Sequence, residues 1–321
     1  MSSILVIGSL NVDVNVRVDH TPCAGETILS GPMVKIPGGK GANQACALGK
    51  LGGDVAILGA VGNDNNAEIQ RQNLRNAGVN VEHLIVKENA GTGMAFITIN
   101  SDGDNCIVVV PGANAELRTE DIDHNRKLIE NCEILIMQME IPLPVVSYAA
   151  QIAKKYGKLV ILDPAPVPKQ IPGGLWNNVD IVKPNETELS MLSGVEFDKN
   201  NLESVRDAAR RVQNMGPENV VVSLGEKGAY ILDNSKEGGW VPSVPTQVVD
   251  TTAAGDTFTA AMALQLLNGM TLRDAVAFAN TAASLTVARY GAQSSIPTMK
   301  EVSERLRKNS ENKDRAMKTA R

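Results

Sequence analysis

The sequence predicts an α/β protein with a mostly parallel central sheet, helices on both faces, and a small antiparallel β lid. Three observations carry that prediction. Apolar, β-branched runs recur along the chain. Segments with helical periodicity separate them, the alternation of a parallel sheet covered on both faces. Two other stretches break the rhythm, because they alternate or pair as strands with one wet face do.

The strand runs are "ILVIGSL" from Ile4, "DVAILGAVG" from Asp54, "EILIMQM" from Glu133, "KLVILDPA" from Lys158, "DIVKPN" from Asp180 and "NVVVSLG" from Asn219. Helical patterns lie between them, including "NNAEIQRQNLRNAG", "LPVVSYAAQIAKKYG" and "NLESVRDAARRVQNMG". Sheets of this kind carry ligands at the carboxyl ends of their strands. In "VDVNVRVDH" (Val12–His20) valines recur every second residue. "TGMAFITIN" and "CIVVVPGAN", joined by "SDGD", read as a hairpin with its turn at Asp102–Asp104. These pieces place lid strands at about 12–36 and 92–111, attached to one domain spanning 1–308. The polar stretch 309–321 is expected to be a disordered tail or a frayed helix.

Composition narrows the function. The 321 residues are 43% hydrophobic and 21% charged, ordinary for a globular protein with a substantial core. Net charge is −5 and the basic residues do not cluster in the folded part, so neither nucleic acid nor anionic membrane is an expected partner. No apolar run approaches the ~20 residues needed to cross a bilayer, and "MSSILVIGSL" reads as a first strand rather than a signal peptide. The four cysteines (Cys23, Cys46, Cys106, Cys132) are far apart, which favours reduced thiols and a cytoplasmic location. The three histidines are isolated, against histidine-based metal binding.

The stretch "DTTAAGDTF" (Asp250–Phe258) leads into the helical "TAAMALQLLNG" through small residues and one acid. Capping by Thr251 or Thr252, with Asp256 complementing the helix dipole, is one reading. The other is that small residues let a large anion reach the bare N–H groups of a helix start. Neither G-x-x-x-x-G-K-[ST] nor G-x-G-x-x-G is present, against a P-loop or a dinucleotide turn. "GGKGANQA" (Gly38–Ala45) is a second glycine-rich helix entry. Asn11, Asp13 and Glu140 follow strands, where short polar side chains suit sugar hydroxyls, although a loop cap would explain each of them singly.

Taken in order and spacing, "GSLNVDV", "PGGKGANQA", "VVVPGAN", "QMEIP", "KPNETE", "SLGEKGA" and "DTTAAGDTF" resemble the ribokinase-like carbohydrate kinase family from about residue 4 to residue 298. The resemblance implies ATP-dependent phosphorylation of D-ribose at its 5-hydroxyl, with deoxyribose, fructose or a nucleoside as alternative acceptors and a non-catalytic sugar sensor as the alternative of another class. Aromatic residues make up only 3% of the chain and the lid offers mainly Phe96, against a nucleoside. By the same resemblance Asp256 is the catalytic base, and the amides of Ala253, Ala254, Gly255 and Asp256 form the anion hole. Sugar contacts fall on Asn11, Asp13, Gly39, Lys40, Gly41, Asn43, Glu140 and Asp256. Nucleotide contacts fall on Asn185, Ser223, Leu224, Gly225, Glu226, Lys227, Gly228, Gly255 and Asn280. Asn185 and Glu188 organise Mg²⁺, largely through water. A monovalent cation, K⁺, falls to Asp250, Thr252, Thr286, Arg289, Gly291 and Ser295. Thr259, where Asn or Gly is frequent, and Met139, where Leu is common, depart from the family pattern without removing a catalytic group. The exposed face of the lid implies a homodimer.

Overall fold

The structure, a computed structural model, describes residues 2–102, 104–234 and 239–319. The chain begins with β1 (Ile4–Ile7), β2 (Asn11–Arg17), β3 (Val34–Gly38), α1 (Lys40–Lys50), β4 (Val55–Gly62), α2 (Asn65–Asn76), β5 (Leu84–Lys87), β6 (Gly93–Ile99) and β7 (Asn105–Val110). There follow α3 (Thr119–His124), α4 (Arg126–Asn131), β8 (Ile134–Met137), α5 (Leu143–Lys155), β9 (Leu159–Leu162), β10 (Ile181–Val182), α6 (Glu186–Ser193) and α7 (Leu202–Gln213). The last elements are β11 (Asn219–Ser223), β12 (Ala229–Leu232), β13 (Gly239–Val241), α8 (Ala254–Leu267), α9 (Leu272–Thr286) and α10 (Met299–Thr319).

Nine strands form the main sheet in the order β13-β12-β11-β10-β9-β8-β1-β4-β5. It is parallel from β5 to β11, and β12 and β13 add an antiparallel edge. Side chains alternate between two cores. Ile4, Val6, Ile134, Ile136, Ile161 and Val221 pack on the face of α1, α8 and α9. Leu5, Ile7, Leu135, Met137, Val160, Leu162, Val220 and Val222 pack on the face of α5 and α7. Both faces of these strands are dry, and that is why they read as continuous apolar runs. Helix α8 is buried from Asp256 to Gln265 on every side, as a central helix must be.

The lid is the small second sheet, β3-β2-β6-β7. Its outer pairings, β2 with β3 and β6 with β7, are antiparallel. The central pairing of β2 with β6 is parallel, because both strands leave the core at the same edge, with Asn11 opposite Gly93. The hairpin turn is organised by Asn100, whose Oδ1 accepts the amides of Asp102 at 3.1 Å and Asp104 at 2.8 Å. Gly103 of that expected turn lies outside the described residues.

Two expectations need correction. Residues 309–319 continue α10 rather than forming a disordered tail. The segment lacks Gly and Pro and is rich in helix formers, and Arg307 pairs with Glu311 one turn on at 3.9 Å. Residues 320 and 321 lie outside the described residues. Strand-like alternation through His20 also fails, since β2 stops at Arg17.

Candidate active site

The carboxyl edge of the main sheet gathers the polar residues. Ser9 follows β1, Gln138 and Glu140 follow β8, Asp163 follows β9, Lys183 and Asn185 follow β10, and Ser223 ends β11. Against this edge stand the N-termini of α1 and α8.

Asp256 lies in the first turn of α8, only 6% exposed. Its Oδ2 accepts from Asn43 Nδ2 at 2.9 Å, and its Oδ1 accepts from Gln44 Nε2 at 3.0 Å. Burial pushes its pKa upward, with nearby Asp163 adding to that, while Lys40 and the two amide hydrogen bonds pull it back. Ala253 caps α8 in the left-handed conformation, φ 61°. The amides of Gly255 and Asp256 then lie in a first turn with no carbonyl one helical turn behind them. The amide of Ala254, expected in the anion hole, instead donates to the Thr251 carbonyl at 3.2 Å. A Cβ on Gly255 would stand 3.4 Å from Lys183 Nζ, an ordinary contact, so the glycine leaves space open toward that ammonium.

The expected sugar residues converge beside Asp256. Glu140 and Asp256 both act on the charge of Asp13 of β2, so the three acids lie close together. Burial, then Glu140 and Asp256, raise the Asp13 carboxyl to about 7. Asn11 is buried and its Oδ1 accepts from Asn114 Nδ2 at 2.8 Å, which fixes the amide. Glu140 Oε2 accepts from Ser9 Oγ at 2.5 Å and from the Lys40 amide at 3.1 Å, tying β8 to the start of α1. Burial lowers the Lys40 ammonium, but Asp256, Asp163, Glu140 and Glu188 outweigh it and hold the pKa above the usual lysine value. Gly39 turns the chain from lid to helix at φ 89°, and a Cβ there would stand 2.6 Å from the Asn11 nitrogen. The Gly41 amide donates to Ser9 Oγ at 3.3 Å. Asn43, expected as a sugar contact, spends one hydrogen on Asp256 and accepts from Gln293 Nε2 at 3.1 Å.

A second cluster lies along the same edge. Asn185 and Glu188 cap α6 reciprocally: the Asn185 amide donates to Glu188 Oε2 at 2.8 Å, and the Glu188 amide donates to Asn185 Oδ1 at 2.8 Å. A β-bridge sets Asn185 beside Ser223, and so beside the turn of Gly225, Glu226, Lys227 and Gly228. Leu224 of that turn is fully buried, so only its backbone can face a ligand. Lys227 bonds Asn200, and the carbonyl of Glu226 accepts from Ser243. Asn280, expected near the adenine, donates to the carbonyls of Val241 and Pro242, both at 3.1 Å, and so leaves only its Oδ1 for a ligand.

Asp250 joins the two loops expected to hold a monovalent cation. Its Oδ1 accepts from the Thr252 amide at 2.9 Å and hydroxyl at 2.6 Å, and its Oδ2 accepts from the Gly291 amide at 2.9 Å. Gly291 has φ 92°, Thr286 Oγ1 bonds Thr257 Oγ1 at 3.1 Å, and Ser295 Oγ donates to the Ala292 carbonyl at 2.7 Å. The Arg289 guanidinium turns away to Glu301 at 2.5 Å, so only its backbone fits the set. One carboxylate with carbonyls and hydroxyls is the oxygen chemistry that K⁺ accepts. Among the described residues no three His, Cys, Asp or Glu side chains are arranged to hold a metal ion. A single acid beside an amide, Glu188 and Asn185, fits Mg²⁺ held through water and phosphate oxygens.

Several residues of the site escaped the sequence reading. Gln44 bonds Asp163 Oδ2 at 3.0 Å as well as Asp256, and Gln138 Nε2 bonds Gln44 Oε1 at 2.6 Å. Asp163 pairs with Lys183 at 3.3 Å, with both side chains almost fully buried. Asp163 and Lys183 follow apolar strands just as Glu140 does, and that position was the available signal.

This arrangement presents a buried carboxylate, a bare helix turn and a buried ammonium to one space, which suits transfer of an anionic group to a hydroxyl. The sequence profile of the pfkB family carbohydrate kinases matches residues 1–299. The chain belongs to the pfkB family of carbohydrate kinases. Among curated members it is 35% identical to the ribokinase of Staphylococcus aureus, covering 94% of this chain and 99% of that one. It is 36% identical to the deoxyribokinase of Salmonella typhi, covering 94% and 98%. The solved structure of Arabidopsis thaliana ribokinase complexed with ribose and ATP superposes with a TM-score of 0.90 at 35% identity, covering 95% of this chain and 98% of that one. In that likeness the family's sugar kinase fold extends over nearly the whole molecule.

Proposed function

We propose that this pfkB-family kinase transfers the γ-phosphoryl group of ATP to the 5-hydroxyl of D-ribose, giving ribose 5-phosphate and ADP. The observation that carries the reading is Asp256, a buried carboxylate in the first turn of α8, aimed by two side-chain amides at a pocket it shares with Asp13 and Glu140. Phosphoryl transfer needs a base for the hydroxyl, charge stabilisation on the migrating group, and exclusion of water. Asp256 takes the hydroxyl proton. The amides of Gly255 and Asp256, with Ala253 setting their direction, face the developing charge. Asn11, Asp13, Lys40 and Glu140 hold the sugar, and the lid strands close over it. The turn of residues 223–228 lies against the nucleotide. Mg²⁺, when bound with the nucleotide, neutralises phosphate charge, and Asn185 and Glu188 hold its water shell. The Asp250 loops would hold K⁺, which would supply a fixed positive charge beside the start of α8.

The likeness to a deoxyribokinase supports 2-deoxyribose as the second acceptor, since the two sugars differ by one hydroxyl. Strand β7 is exposed along its length, including Ile107, Val108, Val109 and Val110, and it edges the lid sheet. A second copy of this chain covers that apolar edge in the proposed homodimer. Four free cysteines support a cytoplasmic setting. ADP release coupled to a reporter, over ribose, deoxyribose, fructose and adenosine, tests the substrate. Ribose is expected to give the highest kcat/KM, and a preference for fructose or adenosine would overturn the assignment.

A further inference from the structure

Gln44 is fully buried in α1 among Ala42, Ala45, Cys46 and Leu48, and its carboxamide touches both Asp163 and Asp256. Nε2 lies 3.0 Å from Asp256 Oδ1 and 3.0 Å from Asp163 Oδ2, while Oε1 accepts from Gln138 Nε2 at 2.6 Å. An amide nitrogen carries two hydrogens, so each carboxylate takes one. Only one orientation of the amide satisfies the set. Turned over, its oxygen would face two carboxylates and its NH₂ would face the donor of Gln138.

We infer that Gln44 is a positioning residue for the reaction, tying the Asp256 carboxylate to Asp163 and fixing the direction in which it meets the sugar hydroxyl. The inference rests on the reading of Asp256 as the base. Two carboxylates buried this close would drive one of them to hold a proton. Gln44 supplies one N–H to each, Lys183 pairs with Asp163, and Lys40 faces Asp256 from the start of α1. Glu140 after β8 and Glu188 on α6 contribute negative charge to the same region, and Asp13 on β2 joins them only as pH rises past about 7. Gln44 thus favours the deprotonated, proton-accepting form of Asp256 against that field.

The test is steady-state kinetics of Gln44→Ala and Gln44→Glu with ribose and ATP from pH 5.5 to 9, beside Asp256→Asn, with thermal melting of each. In Gln44→Ala, kcat is expected to fall about tenfold to a hundredfold, the loss of a hydrogen bond to a charged group. The KM for ribose is expected to change less, and the acidic limb of kcat to move to higher pH, because the base gives up its proton later. Gln44→Glu, which adds a third acid, is expected to be worse. A purely structural glutamine would alter melting and yield but not the acidic limb. If Gln44→Ala does not fold, Gln138→Leu removes the anchor on the Gln44 oxygen and loosens the amide, and is expected to move the limb in the same direction by less. An unchanged kcat and acidic limb in a folded Gln44→Ala, or failing that in Gln138→Leu, would overturn the inference. Wild-type activity in Asp256→Asn would instead overturn the reading of the base.

Discussion

The Asp13 carboxylate fills the space where a side chain on Gly38 would have to stand, its oxygens closer to that point than any Cβ could come. Asp13 and Gly38 sit on neighbouring lid strands, with Asp13 opposite Ile36, and only a glycine two residues on lets the acid turn inward over the pocket. The lid thus carries a carboxylate into the sugar site at a cost to the fold.

That cost gives a first prediction. The pKa of Asp13 is raised to about 7 in the folded protein from 3.8, chiefly by burial and then by Glu140 and Asp256. A raised carboxyl contributes its full stability below pH 3.8 and loses it as pH climbs through about 7. Asp13→Asn is therefore expected to stabilise the sugar-free protein by on the order of 2–4 kcal/mol at pH 8 and by much less at pH 5. The same change is expected to raise the KM for ribose sharply. Melting curves at the two pH values check the sign, and an equal shift at both would contradict it.

Ala253 is the non-glycine residue with positive φ among the described residues. Ala253→Gly is expected to keep both fold and activity. Ala253→Val forces a β-branched side chain into that conformation, at a cost of about 2 kcal/mol. It also closes the approach to the bare amides, so activity is expected to fall more than stability. Melting and turnover measured together separate the two effects.

Glu188→Gln keeps one oxygen for the Asn185 backbone amide but turns an NH₂ against Asn185 Nδ2, so the cap of α6 is weakened and stability is expected to fall by about 1 kcal/mol. The charge is lost, and a titration of activity against Mg²⁺ is expected to show half-saturation at higher concentration.

Asp250→Ala unties Thr252 from Gly291. Turnover measured in KCl against choline chloride is expected to differ markedly in the wild type and little in this variant.

The central strands were legible because both of their faces are dry, so "ILVI", "ILIM" and "VVV" stand out as unbroken apolar runs. β5 and β13 are the outermost strands of the main sheet and only partly buried, so no unbroken apolar run marks them. Asp256, Asp13 and Glu140 could be placed because acids after strands or at helix starts stand out. Gln44 could not. Its meaning depends on Asp163 and Asp256, residues remote in sequence that meet only when α1, the end of β9 and α8 pack together. The same limit hid the bond from Asn43 to Asp256 and the buried pair of Asp163 with Lys183.

The most direct measurement is the single-turnover rate of Asp256→Asn with saturating ribose, ATP and Mg²⁺, alongside ribose affinity by calorimetry. With Asp256 as the base, the rate is expected to drop by about a thousandfold or more while ribose still binds, since an amide keeps the shape but cannot accept the proton. A rate within a few-fold of the wild type would contradict the account.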